Sequence, residues 1–203
     1  MIQSKPVLGI DIDDVLLDLN AQLLSFHNDR YDSHLTFEQW FSFDLALMFD
    51  CSYEEKERRV AEFYASAYND ATQPIKGARE ALATLSKTHT IHLITARPEY
   101  LRESTLLSLN SHFAGLFESV HFTGAHHIST IEKRTKADVC RELGVETFVD
   151  DAIHNAEDVA AIGCKVYLLD RPWNQLPVSA GITRVYSWEE IVSLVLADIA
   201  TPE

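Results

Sequence analysis

Four short runs of the chain are apolar at nearly every position. Val7-Leu8-Gly9-Ile10 leads into Asp11-Ile12, and Thr90-Ile91-His92-Leu93-Ile94 ends at Thr95. Thr147-Phe148-Val149 ends at Asp150, and Lys165-Val166-Tyr167-Leu168-Leu169 stops before a further acid. Runs of this kind predict parallel strands buried on both faces. Helical stretches lie between them. Residues 78–86 place Ala81, Leu82 and Leu85 on one face, and residues 99–112 carry Leu101, Leu106 and Leu109. Lys136–Leu143 stops at Gly144, a residue suited to the left-handed turn after a helix. Strand and helix in alternation predict an α/β fold with a doubly wound parallel sheet.

Residues 18–73 break the alternation and read as all-helical. Thr36-Phe37-Glu38-Gln39 and Ser52-Tyr53-Glu54-Glu55 fit the capping-box pattern. Val60, Phe63, Tyr64, Ala67 and Tyr68 then form one helical stripe, which reads as core packing. An insertion directly after the first strand starts at the carboxyl end of the sheet, where open α/β folds bind ligands. The expected organisation is therefore a core of residues 1–17 and 74–203 with a helical cap at 18–73. Ser187-Trp188-Glu189-Glu190 opens a final helix carrying Ile191, Leu194, Val195 and Ile199.

Composition narrows the setting. The chain has 203 residues, 46% hydrophobic and 24% charged, which suits a soluble domain with an insertion. A formal net charge of −14 argues against a nucleic acid polymer or an anionic membrane as partner. A small phosphate ester can still bind where local cations reverse the field. No apolar run approaches the roughly 18 residues of a spanning helix. Residues 1–6 lack the pattern of a secretory signal. Cys51, Cys140 and Cys164 are scattered, with no CxxC pair, which points to reduced thiols and a cytoplasmic location. A homo-oligomer is compatible with all of this.

The chemistry concentrates in Asp11-Ile12-Asp13-Asp14. Packing does not need three carboxylates after a buried strand, and like charges this close repel unless a cation binds between them. The bland reading is a solvated acidic turn or a helix cap. A second acidic pair, Asp150-Asp151, ends another strand, so both clusters can converge on one hard divalent ion. Asp11, Asp13, Asp150 and Asp151 are the expected ligands, with Asp14 pointing away. Thr95 ends a third strand, and Lys136 opens the helix before Asp150.

The order Asp-x-Asp, Thr, Lys, Asp-Asp resembles the four motifs of the haloacid dehalogenase (HAD) superfamily, over residues 7–170. Ile94-Thr95-Ala96-Arg97-Pro98 and Asp170-Arg171-Pro172-Trp173-Asn174 are similar to the branch grouped with cytosolic 5′(3′)-deoxyribonucleotidases. The resemblance implies a HAD-like Rossmannoid core with a small helical cap after the first strand. It implies a Mg²⁺-dependent phosphomonoester hydrolase, with (deoxy)nucleoside monophosphates as candidate substrates. Asp11 would be the nucleophile, forming an aspartyl-phosphate, and Asp13 the general acid and base. Thr95 and Lys136 would bind the phosphoryl group, with Lys133 as the other candidate lysine. Asp150, with Asp151 behind it, would hold the metal. Thr95, Ala96, Arg97 and Arg171 are the residues expected at the substrate. Characterised members carry Ser where this chain has Ala96-Arg97, so Arg97 could instead meet a second anionic group.

Other features have two readings. His121, His126 and His127 suggest zinc but lack a completing ligand of suitable spacing, so surface histidines are expected. Arg102 could reach phosphate or lie on the surface. Trp40, Phe41 and Phe43 could stack on a base or fill the core of the cap. Three alternatives keep the same motifs: a phosphotransferase or mutase of this fold, a receiver-like signalling module, and a degenerate phosphate-binding protein. The acid pair after Lys136, and Asp13 two residues from Asp11, favour an enzyme over the signalling module.

Overall fold

The computed structural model of the chain describes residues 4–124 and 134–200. Six strands form one sheet: β1 (Val7–Ile10), β2 (Thr90–Thr95), β3 (Ser119–Phe122), β4 (Thr147–Asp150), β5 (Lys165–Leu169) and β6 (Ile182–Val185). Their order is β3-β2-β1-β4-β5-β6, and every neighbouring pair is parallel. The four apolar runs occupy the interior positions, where both faces are covered. The two strands that the pattern did not announce, β3 and β6, are the edges.

Helices cover both faces. Ile10, Val149 and Tyr167 pack in one cluster with Leu82 of α5 (Ala78–Leu85), Leu109 of α6 (Arg102–Phe113) and Ile191 of α9 (Trp188–Ala200). Phe148, Val166 and Leu168 point the other way, against Val139 of α7 (Lys136–Leu143) and Val159 of α8 (Ile153–Ala161). This is the doubly wound arrangement. The central strand needs a glycine: a Cβ on Gly9 would stand 2.8 Å from Phe148 Cδ2 and 3.2 Å from Val145 Cγ1. Among the described residues no helix is long and apolar enough to cross a membrane.

Residues 18–73 hold α1 (Leu19–Tyr31), α2 (Leu45–Met48), α3 (Tyr53–Tyr64) and α4 (Ala67–Asp70). The segment is helical but not continuously so. Asp32 takes a left-handed conformation after α1. Asn28 then clasps the returning chain, donating from Nδ2 to Leu35 O (2.8 Å) and accepting from Leu35 N (3.1 Å). The Thr36 capping box closes only a 3-10 turn, Phe37–Gln39, whereas Ser52 Oγ accepts from Glu55 N and starts α3. The two ends of the segment meet: Asp18 N donates to Gln73 O at 2.9 Å, and Leu17 bridges Pro74.

The order in which strands are added to the sheet reverses between β1 and β4, which are parallel neighbours in space. The carboxyl ends of these two strands flank the crevice where such sheets bind ligands.

Candidate active site

Asp11 leaves β1 with its N–H donating to Val149 O at 2.9 Å, so the ladder to β4 still fixes its backbone. The chain then turns sharply. Leu16 and Leu17 donate to Ile12 O, Asp14 donates to Leu17 O, and Asp14 sits at φ 56°. A left-handed aspartate is tolerable because its short side chain bonds locally. Asp14 Oδ1 accepts from Asn20 N (3.0 Å) in the first turn of α1. Burial pushes its carboxyl well above the usual carboxylate range. The third acid of the motif thus supports the turn and the start of the helical segment.

Asp11, Asp150 and Asp151 come together: each offers a carboxylate oxygen within 4.8 Å of the others, and all three are buried. Lys136 joins them from the first turn of α7, which Thr135 caps by accepting from Asp138 N. Its Nζ lies 2.8 Å from Asp11 Oδ1 and 2.8 Å from Asp150 Oδ2. Burial works against its charge, but the two carboxylates overcome this and hold the lysine above its ordinary range. Burial pushes Asp11 up to about 7 against the pull of Lys136, with Asp150 and Asp13 adding to the rise. Burial, then Asp150, Asp14 and Asp11, hold Asp151 well above the carboxylate range. Three buried acids with one lysine leave an excess of negative potential. A hard divalent ion fits this all-oxygen donor set and would relieve the repulsion.

Asp13, expected with these ligands, stands outside the group of three. Arg97 reaches it from the turn after β2, with Nε 3.1 and 3.0 Å from the two carboxylate oxygens and Nη2 2.6 Å from Oδ1. Asp13 is therefore committed to a guanidinium rather than to the acid cluster. Thr95 is fully buried, and its Oγ1 accepts from Arg97 N at 3.1 Å. Ala96 and Arg97 line the cavity above the acids, together with Asp11, Asp13, Lys136 and Asp151.

Arg171 differs from expectation. Its Nε and Nη2 donate to Asp14 O (3.1 and 2.6 Å), and its Nη1 donates to Asp170 O (3.1 Å). Backbone carbonyls hold this guanidinium, and it does not line the cavity. Lys133, His126 and His127 lie outside the described residues. His121 shares Ser119 Oγ with His92 on β2–β3, away from the cavity. Arg102 pairs with Glu99 on the surface.

Two residues carry roles that sequence reasoning did not assign. Trp173 Nε1–H donates to Asp151 Oδ2 at 2.7 Å, and Asn174 Nδ2–H donates to Asp151 O at 2.7 Å. The signal was present, since a buried strand-end acid needs donors and an indole and an amide follow the next strand in Arg-Pro-Trp-Asn.

The cavity measures about 550 Å³, and residues 18–73 supply much of its lining. Its opposite wall includes Leu23, Trp40, Phe43, Val60 and Tyr64. Trp40 is buried and Phe43 is half-exposed, both on the cavity, whereas Phe41 is 63% exposed and lies off it.

The family model for "5′ nucleotidase, deoxy (Pyrimidine), cytosolic type C protein" (NT5C) matches residues 5–200. The chain belongs to the NT5C family. A candidate nucleotidase of Halalkalibacterium halodurans is 27% identical to this NT5C chain over 190 residues, covering 93% of it and 92% of that protein. Among solved structures, a HAD-superfamily hydrolase of Geobacter sulfurreducens superimposes with a TM-score of 0.60 at 21% identity, covering 94% and 96% of the two chains. A Bacillus subtilis HAD hydrolase solved with bound magnesium gives a TM-score of 0.65 at 13% identity, covering 96% of this chain and all of the other. At these identities the two structures speak for the fold. Family membership and fold together make the NT5C chain a HAD-type phosphatase, a hydrolase of phosphomonoesters with a small phosphorylated substrate.

Proposed function

We propose that the protein is a Mg²⁺-dependent 5′-nucleotidase that removes phosphate from (deoxy)nucleoside monophosphates through an aspartyl-phosphate on Asp11. The observation that carries this reading is the junction of Asp11, Asp150, Asp151 and Lys136, from which Asp11, Asp151 and Lys136 reach the floor of a cavity with an aromatic opposite wall.

Asp11 attacks phosphorus, a new O–P bond forms, and the bond to the ester oxygen breaks. Asp13 gives a proton to the departing oxygen, then takes one from the water that opens the aspartyl-phosphate. Lys136 orients the nucleophile through its bond to Asp11 and balances charge on the transferring group. Thr95, which accepts from Arg97 N, keeps its hydroxyl proton as a donor to a phosphoryl oxygen. When bound, Mg²⁺ would be held by Asp11, Asp150 and Asp151 and would offset repulsion between the ester dianion and Asp11.

Residues 18–73 form a helical cap on a catalytic core of 1–17 and 74–203. The adjacent ends of the segment at Asp18 and Gln73 support that division. A cavity of about 550 Å³ falls in the range of small-molecule sites, and Trp40 and Phe43 offer apolar surface to a base. Three free cysteines, two of them buried, fit a cytoplasmic enzyme.

A panel of phosphate esters, including deoxynucleoside monophosphates, sugar phosphates and phosphorylated acids, tests this with inorganic phosphate as readout and chelator as control. Mg²⁺-dependent release from nucleoside monophosphates supports the reading. Release from the other esters alone removes the nucleotidase assignment and leaves the phosphatase class standing.

A further inference from the structure

Trp173 belongs to the core, yet it is buried in the hydrophobic cluster of residues 18–73, with Leu19, Leu23, Phe26, Trp40, Met48, Phe49 and Phe63. Among the described residues it is the one member of that cluster from outside the segment. The edges of three aromatic rings meet it: Phe37 at 5.6 Å, Phe43 at 5.9 Å and Trp40 at 6.3 Å between centroids, with interplanar angles of 62–73°. The other end of the same indole is polar, and its N–H donates to Asp151 Oδ2 at 2.7 Å. Two of the three ring partners, Trp40 and Phe43, form the cavity wall opposite the acids.

Resting on the magnesium reading of these acids, we propose that Trp173 is a positioning residue that couples the substrate-facing aromatic wall to the metal-binding carboxylate of Asp151. The indole has one donor and no acceptor, so it fixes one oxygen of Asp151 and leaves the other free for a cation. Partners of this kind orient a ligating carboxylate and raise metal affinity. The ring has little freedom of its own, because edge-to-face contacts hold it on three sides. A change at Phe43 therefore reaches Asp151 through one rigid body. By linkage, a substrate that settles the wall tightens the metal, and the metal tightens the wall by the same factor.

The test is a double-mutant cycle on the full chain, with Mg²⁺ alone titrated calorimetrically into substrate-free protein. Trp173→Phe keeps a ring but removes the donor. Phe43→Leu disturbs the wall without touching the acids. Trp173→Phe is expected to weaken Mg²⁺ binding about tenfold or more. Phe43→Leu alone is expected to weaken it roughly threefold, and to add nothing in the Trp173→Phe background. Metal-free melting temperatures report separately on folding. Affinity of Trp173→Phe within twofold of the parent overturns the proposal, as does a Phe43→Leu effect that persists in the double variant. If Trp173→Phe does not fold, an unchanged Mg²⁺ affinity for Phe43→Leu overturns it instead. A parent protein that takes up no Mg²⁺ overturns the magnesium reading itself, which is distinct from a parent that binds normally while both variants match it.

Discussion

Arg97 grips both carboxylate oxygens of Asp13, and its Nη1 is anchored to Thr105 Oγ1 at 2.9 Å. The arginine is almost wholly buried. A guanidinium held at its far end presents a fixed fork, so the orientation of Asp13 is set by Arg97 rather than by its own turn. This also gives the Ala96-Arg97 departure from the usual Ser a structural occupation.

Arg97→Met is expected to lower kcat by about a hundredfold on a nucleoside monophosphate, the lower end of general acid–base contributions. An ester with a good leaving group, such as p-nitrophenyl phosphate, needs less protonation and should lose much less. Steady-state kinetics on both esters decide it. Equal losses would mean that Arg97 serves the phosphoryl group and not Asp13.

Asp11→Asn should abolish turnover, with a loss of at least about a thousandfold. The amide is a poor nucleophile and brings no charge to the cation. The fold should survive, since the backbone bond from residue 11 to Val149 O does not involve the side chain. Phosphate release within tenfold of the parent, from protein with an unaltered circular dichroism spectrum, would refute the covalent mechanism.

The expected site was legible where acids end strands. Asp11 and Asp150 follow runs that are buried on both faces, and neighbouring strands place their carboxyl ends side by side. The strands β3 and β6 were not legible, because Ser119-Val120-His121-Phe122 is only partly buried and Ile182–Val185 is buried only at its two ends, with Thr183 and Arg184 between them. The pairing of Arg97 with Asp13 joins residues 84 apart, and no local pattern encodes it. Arg171 and Trp173 sit two residues apart with donors of similar reach. Sequence does not say that the first would spend its donors on carbonyls and the second on Asp151.

His27 gives residues 18–73 an acid limit. Arg59 Nη1 lies 2.9 Å from His27 Nε2, and since arginine only donates, Nε2 must be the acceptor. The proton is then on Nδ1, facing Ser33 Oγ at 2.8 Å. Burial, then Arg59, lowers the imidazole to about 4, from 6.5. The unfolded chain binds this proton first, so stability falls as pH drops from about 6.5 towards 4. His27→Phe, against the stacked Phe49 ring, should flatten that part of the curve of melting temperature against pH. An unchanged slope would remove His27 as the cause.

Lys136 separates a structural from a catalytic account of the same cluster. Its ammonium bridges Asp11 and Asp150, and it is the one cation bonded to those acids among the described residues. Lys136→Met keeps most of the apolar stem and removes the charge. Without metal, three buried carboxyls then face one another unopposed, and breaking a buried pair of this kind costs about 3–5 kcal/mol. The acids can recover part of that by taking up protons, so the loss should be largest at alkaline pH and smaller near pH 5. Mg²⁺ should restore most of the lost melting temperature at alkaline pH, and the shift it causes should exceed the shift in the parent, because no other cation among the described residues is bonded to Asp11 or Asp150. Turnover should stay low even at saturating Mg²⁺, since the ion does not replace the ammonium that orients Asp11. Three readouts on one variant therefore diverge. Recovery of stability without recovery of rate assigns Lys136 to the chemistry. Recovery of both would reduce it to a counter-charge for the metal-free site. Recovery of neither would mean that Asp11, Asp150 and Asp151 do not hold the ion.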